Sequence, residues 1–237
     1  GQSIDYNINS PIGVHGSIGQ PLCKHKVPYT QRAVYKAGEV INTKYSIGAP
    51  HGGGHCQWAL SYDDGRTWVV IETMIRECFR NVGNTEAYSI PVKIPDNAPS
   101  GNATFHWLWN NAVGNRELYS NCADITIQGR NGGSISGVEP LIANYGPNSV
   151  LIPEFSGNGN DGREHFAKRK PITINVPANG NGGNGNQPTT TKTTTTTKAP
   201  VPTTTTSTRP VGCPTYTPYT VTVTVTRTVT RCPTQTW

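Results

Sequence analysis

The chain has no run of about 18 consecutive apolar residues, so hydropathy offers no membrane-crossing helix. It also lacks any segment that keeps apolar residues at i, i+3, i+4 and i+7 for three turns, which excludes a helical bundle. Charge is scarce, at 14% of the 237 residues. Acidic side chains stop altogether after Glu164. The formal net charge of +6 therefore divides unevenly: residues 1–164 hold 12 Lys+Arg against 14 Asp+Glu, a net of −2, and residues 165–237 hold 8 Lys+Arg and no acid. Basicity belongs to the C-terminal stretch, which argues against nucleic acid as a partner of the N-terminal part.

What is abundant points to β-structure and an oxidising compartment. The chain carries 26 Gly and 19 Pro, and its six Cys suit three disulfides in a secreted, extracellular protein associated with a cell surface or wall. Asn102-Ala103-Thr104 is an N-glycosylation sequon, and the Thr tracts resemble O-glycosylated stalks. Three zones follow. Residues 1–155 contain short β-branched and aromatic runs (Ala33–Ile47, Gln57–Tyr62, Thr67–Thr73, Tyr88–Ile94, Ala103–Trp109, Asp124–Ile127) separated by Gly, Pro, Asn and Asp. The spacing predicts an all-β fold, an immunoglobulin/fibronectin-like β-sandwich with long loops. Asp63-Asp64-Gly65 reads as a β-hairpin turn. Residues 156–210 read as a disordered linker: Asn179–Asn186 is all Gly and Asn, and 13 of the 20 residues from Thr189 to Thr208 are Thr. Residues 211–237 read as a small tail, a Val/Thr alternation that a Cys213–Cys232 bond would close.

Two stretches could carry chemistry. In Ala49-Pro50-His51-Gly52-Gly53-Gly54-His55-Cys56 the three glycines exclude a helical histidine pair and predict a loop entering a strand. His51 is then either an imidazole on an open platform or an incidental surface residue. In Gly114-Asn115-Arg116-Glu117-Leu118-Tyr119, Glu117 and Tyr119 share one strand face. They are either a functional carboxylate and phenol or a structural hydrogen-bonded pair. Trp107 and Trp109 share a face in the same way and are read as core. Other matches are weak. The Gly180–Gly185 G-x-G-x-x-G lies in the Gly/Asn stretch with no strand before it, and no pair of carboxylates stands out as a glycosidase pair.

These stretches, with Asn9-Ser10-Pro11 before Cys23-Lys24 and Asn121-Cys122-Ala123, resemble the fungal, chitin-active lytic polysaccharide monooxygenases of the eleventh auxiliary-activity family. The resemblance spans roughly residues 7–150. It implies a β-sandwich with one type-2 copper on a flat face, His51 as the second histidine ligand and Tyr119 as the weak axial oxygen. It also implies Ala49 as the small residue beside the open copper position and Glu117 as the acid that manages dioxygen-derived species. The disulfides it implies are Cys23–Cys122 and Cys56–Cys78. Expected partners are chitin or a related insoluble polysaccharide, an external electron donor, and O2 or H2O2, with the protein a monomer and no membrane or nucleic acid involved. The family's other ligand is the amine and imidazole of an N-terminal His, whereas this chain opens Gly1-Gln2-Ser3, so that His is expected upstream of Gly1. His15, His25, His106 and His165 cannot replace it, because none supplies an α-amine. A non-catalytic glycan-binding module or a copper-binding relative on the same fold are the alternatives.

Overall fold

The computed structural model describes residues 6–178, apart from 18, 25–28 and 84–86. Cys213, Cys232, the Thr-rich stretch and the tail lie outside the described residues, as does His25. A 3-10 turn at Tyr6–Asn9 precedes β1 (Gly13–Val14), β2 (Ala33–Lys36), β3 (Val40–Ser46), β4 (Gly54–Ser61) and β5 (Val69–Cys78). Then come β6 (Ala87–Lys93), β7 (Gly101–Asn111), β8 (Glu117–Gln128), β9 (Gly133–Val138), a short helix α1 (Arg163–Ala167) and β10 (Pro171–Val176). The fold is mostly β, as the composition predicts.

One eight-stranded sheet has the order β1-β8-β7-β4-β5-β9-β10, with β2 also pairing with β8, and a separate two-stranded sheet joins β3 to β6. Both sheets share one core. Trp58 and Leu60 of β4, Phe105 and Trp109 of β7 and Ile125 and Ile127 of β8 pack with Ile41 of β3 and Ile90 and Val92 of β6. These residues alternate along their strands, the period that sends every second side chain inward. Burying a large apolar side chain stabilises by about 1.5–3 kcal/mol. The opposite face of the large sheet is covered by loops. Leu108 and Leu118 pack with Ile12, and further along Ile152, Phe155 and Phe166 pack with Ala112. All eight residues of β4 are consequently buried.

Two expectations need correction. Residues 156–178 do not start a linker: Phe166 of α1 is buried, and β10 pairs with β9 over six residues. Ile172, Ile174 and Val176 already alternate in the sequence, but Lys168-Arg169-Lys170 before them and the Gly/Asn run after them obscure the strand. The Asp63–Gly65 turn also differs from a regular hairpin. Asp64 and Gly65 do take positive φ (56° and 77°), yet β4 and β5 are bridged only at Gly54–Glu77. The Asp63 carboxylate replaces ladder bonds by accepting from Arg66 N, Thr67 N, Thr67 Oγ1 and Ser61 Oγ. Two disulfides, Cys23–Cys122 and Cys56–Cys78, tie a loop to β8 and β4 to β5. A bond closing a loop of this kind is worth about 2–4 kcal/mol.

His106 on β7 is fully buried, its ring 4.4 Å from that of Trp68 and its Nε2 2.6 Å from Ser120 Oγ. Burial lowers its pKa from 6.5 to about 3. The unfolded chain therefore takes up this proton first as pH falls, so the stabilisation is complete above pH 6.5 and is lost progressively down to about pH 3. Burial lowers the pKa of His55 in the same direction. We predict a denaturation midpoint that falls steadily between pH 6.5 and pH 3, with a shallower slope in His106→Gln. Each tenfold difference in proton affinity corresponds to about 1.4 kcal/mol. A midpoint unchanged across this range would contradict the assignment.

Candidate metal centre

Two loops at one end of the large sheet build the site. The first joins β3 to β4. Here Gly53 N donates to Pro50 O (2.8 Å), and four successive residues, His51 to Gly54, take positive φ. Glycine is required at 54, where a Cβ would stand 2.1 Å from Asn110 O and 2.6 Å from Trp109 Nε1. His51 itself has φ 49°, a left-handed conformation that costs a non-glycine residue about 1–2 kcal/mol. Two bonds to one residue of the second loop hold it there: Val113 N donates to His51 O (2.8 Å), and His51 Nδ1 lies 3.1 Å from Val113 O. A carbonyl oxygen only accepts, so Nδ1 carries the proton. In the neutral ring Nε2 is then left with a lone pair.

The second loop joins β7 to β8. Asn111 is fully buried, and its Nδ2 donates to Val113 O (3.0 Å) and Asn115 O (2.7 Å), while its Oδ1 accepts from Glu117 N (3.1 Å). Glu117 and Tyr119 emerge on one face of β8. Tyr119 OH donates to Glu117 Oε2 at 2.9 Å and lies 3.4 Å from His51 Nε2, and Glu117 Oε2 is 3.9 Å from the same nitrogen. The Tyr119 ring packs 4.7 Å from Trp109, and Trp109 5.9 Å from His51. Burial, and then the Glu117 carboxylate beside it, push the Tyr119 phenol well above the usual tyrosine range. Burial also lowers the pKa of Arg116, against the opposing charges of Glu154 and Glu117.

Imidazole nitrogen, phenol oxygen and carboxylate oxygen thus converge on one point, with His51 a quarter exposed and Glu117 nearly buried. Ala49 is exposed and lines the same cleft, of about 690 Å³, as His51, Trp109, Tyr119 and Asn121. Imidazole suits copper or zinc, and the lone pair of Nε2 is directed away from the backbone contact. Among the described residues, no group of three or more His, Cys, Asp and Glu side chains could hold a metal ion.

The remaining sequence candidates sit elsewhere. His55 leaves the site: its Nε2 donates to Asp161 O (2.9 Å), its Nδ1 accepts from Arg76 N (3.0 Å), and its ring packs between Phe155 and Phe166. Asn102 is exposed at the far end of β7, opposite Thr126. Tyr29, Tyr35 and Tyr62 are tied into the fold: Tyr35 is in the core, Tyr29 OH donates to Ile125 O, and Tyr62 OH donates to Pro99 O. No sequence pattern assigned an individual role to Asn111 or Arg116. Asn111 ends the aromatic strand two residues before Val113, and only that position in the turn hinted at its use.

No family model matches the chain. Three curated proteins are similar to it. One, named AA11 family lytic polysaccharide monooxygenase A, from Aspergillus fumigatus, is 41% identical over 134 residues, 55% of this chain and 58% of that protein. A second from A. fumigatus, AA11 family lytic polysaccharide monooxygenase B, is 35% identical over 135 residues, 50% of this chain and 32% of its own length. An AA11 family lytic polysaccharide monooxygenase from Aspergillus oryzae is 34% identical over 134 residues, 51% of this chain and 32% of its own length. The chain thus matches little more than half of the first relative and about a third of the other two. A solved structure described as a cellulose-active polysaccharide monooxygenase from M. thermophila overlaps 47% of this chain and 60% of its own, at a TM-score of 0.38 and 16% identity, too loosely to carry an argument. The resemblance to the AA11 family read from the His-Gly-Gly-Gly and Gly-Asn-Arg-Glu motifs is shown over about half of the chain.

The contact between Glu117 and Tyr119 makes a metal-free prediction. The carboxylate raises the phenol's pKa both by accepting its proton in a hydrogen bond and by its charge. Replacing Glu117 by Gln should therefore let Tyr119 ionise at lower pH than in the parent protein. Ultraviolet titration of the parent, Glu117→Gln and Tyr119→Phe assigns the transition. A phenol that titrates at the same pH in Glu117→Gln as in the parent would refute the coupling.

Proposed function

We propose that the folded part of this chain is the catalytic domain of a secreted fungal lytic polysaccharide monooxygenase of the AA11 type, which uses one copper ion to cleave chitin or a related insoluble polysaccharide oxidatively. The observation that carries the reading is the meeting of His51 Nε2, Tyr119 OH and Glu117 Oε2 within 3.9 Å of one another, His51 and Tyr119 lining the cleft, with His51 Nδ1 pinned to Val113 O. The motif order and the AA11 relatives support it. On this reading the two sheets form an immunoglobulin/fibronectin-like sandwich.

The residues divide the work. His51 would supply an imidazole nitrogen to the copper, and Tyr119 a weakly held phenol oxygen. The enzyme reading requires the amine and imidazole of an N-terminal His to complete the set. Bound copper would supply one-electron chemistry with an external reductant and O2 or H2O2, directed at a C–H bond beside a glycosidic linkage. Ala49, with only a methyl group, leaves the approach beside His51 unobstructed. Glu117 is nearly buried and already accepts the hydrogen bond of the Tyr119 hydroxyl, so its carboxylate can take up and return a proton beside His51 Nε2. Trp109 excludes water from the inner side of the site by packing on both Tyr119 and His51.

The test is to express the chain with its natural upstream residues, processed to an N-terminal His, and to incubate it with crystalline chitin, copper and a reductant. Mass spectrometry should find oxidised oligosaccharides, and His51→Ala should abolish both them and tight copper binding. Glu117→Gln should retain copper and lose at least about tenfold in turnover. Chitin retention that survives chelation, without oxidised products, would favour a pure binding module. Tight copper binding without products would favour a copper-binding relative. A natural upstream sequence without such a His would overturn the enzyme reading.

A further inference from the structure

Among the described residues Arg116 makes no side-chain ion pair and spends its guanidinium on backbone carbonyls. Nε and an Nη donate to Gly114 O (3.0 and 2.7 Å), and the other Nη reaches Asn111 O (3.0 Å) and Pro153 O (3.3 Å). It thereby closes the β7–β8 turn on itself and fastens it to the 150–155 loop, which is also held by Phe155 N donating to Ala112 O (3.0 Å). Inside the same turn the Asn111 side chain makes three bonds. Two fix Val113 O and Asn115 O, and the third fixes the amide of Glu117. Val113 O is the acceptor for His51 Nδ1. The orientation of His51 and the starting point of Glu117 are thus set by the same few bonds.

We infer that Asn111 and Arg116 are positioning residues that lock His51 in the Nδ1–H tautomer, with Nε2 free, and set Glu117 against Tyr119. This inference rests on the metal-centre reading for its purpose but not for its geometry. A planar fork can hold two carbonyls of the turn and one of the neighbouring loop at once, and a single ammonium cannot, so lysine is not an equivalent substitute. Loss of an outer partner of this kind typically costs about 10–100-fold in metal affinity or activity.

The experiment uses the full chain, labelled with nitrogen-15 at histidine, without metal. Ring-nitrogen NMR of the parent should show His51 with a protonated Nδ1 slow to exchange and an unprotonated Nε2, assigned by its loss in His51→Ala. In Arg116→Lys and in Asn111→Asp that signal should broaden or shift towards a tautomer mixture. Thermal melts report whether each variant is folded, and Arg130→Lys, remote from the turn, serves as the control. Folded variants that keep the parent's ring signals would overturn the inference. Copper titration of the processed protein then separates the two proposals. A ring freed in the variants, in a protein whose parent binds no copper, supports the positioning role and defeats the proposed function. Where the parent binds copper, the variants should bind it about 10–100-fold more weakly, and equal affinity would overturn the positioning role.

Discussion

The reciprocal pair between His51 and Val113 is the contact on which the rest of the site depends. One bond joins the backbone of two loops, and the other joins a side chain to the same residue's carbonyl. Neither loop belongs to a regular ladder there, so each would be free to move without the other. His51 also holds an unfavourable left-handed conformation, which persists only because its surroundings leave it no alternative. Gly52 makes the approach possible: a Cβ at that position would come 2.9 Å from Val113 Cγ2. The glycine run is thus a steric requirement for bringing an imidazole to the β7–β8 turn.

Two histidines four residues apart meet opposite fates for a related reason. His51 precedes β4, and its ring reaches the edge of the sheet where the cleft opens. His55 lies within β4, where the strand's period sends it to the face covered by Phe155 and Phe166. There both ring nitrogens are satisfied by backbone groups, and Arg76 donates to Asp161 to fix the loop that supplies one of them. Burial lowers the basicity of that ring and holds it neutral. It is a structural pin for the 156–163 segment and is spent on that task.

Much of the sheet was legible. β-Branched and aromatic alternation located β3 to β8, and Trp107 and Trp109 face the core as their spacing implied. The strands that escaped had their pattern diluted. β9 is built on Gly133-Ser134-Ile135-Ser136-Gly137, with one apolar side chain in five residues, and β10 is crowded by charge and glycine. At the site, the shared face of Glu117 and Tyr119 followed from a period of two. The tasks of Asn111 and Arg116 were not legible, since their partners are backbone groups, carbonyls in all cases but the Glu117 amide. One of these, Pro153 O, lies 37 residues away, and composition carries no record of it. The burial of His106 depends likewise on Trp68 and Ser120 arriving from other parts of the chain.

The apolar environment of β4 explains why such a site can be precise while standing on loops. Every residue of β4 is buried, the main core covers one of its faces and loops cover the other, and Cys56 bonds it to Cys78 at the end of β5. A strand held on both faces cannot shift without opening packing on two sides, each movement costing several buried side chains. The loop bearing His51 is therefore fixed at its exit, three residues after the histidine, and its other contact is the turn at the start of β8. β8 is itself paired with β7 over ten residues and tied through Cys122 to Cys23. Side chains that act together at one point need to be held to fractions of an ångström. In this fold that precision comes from two strongly held strands, with the loops between them kept too short and too cross-linked to wander.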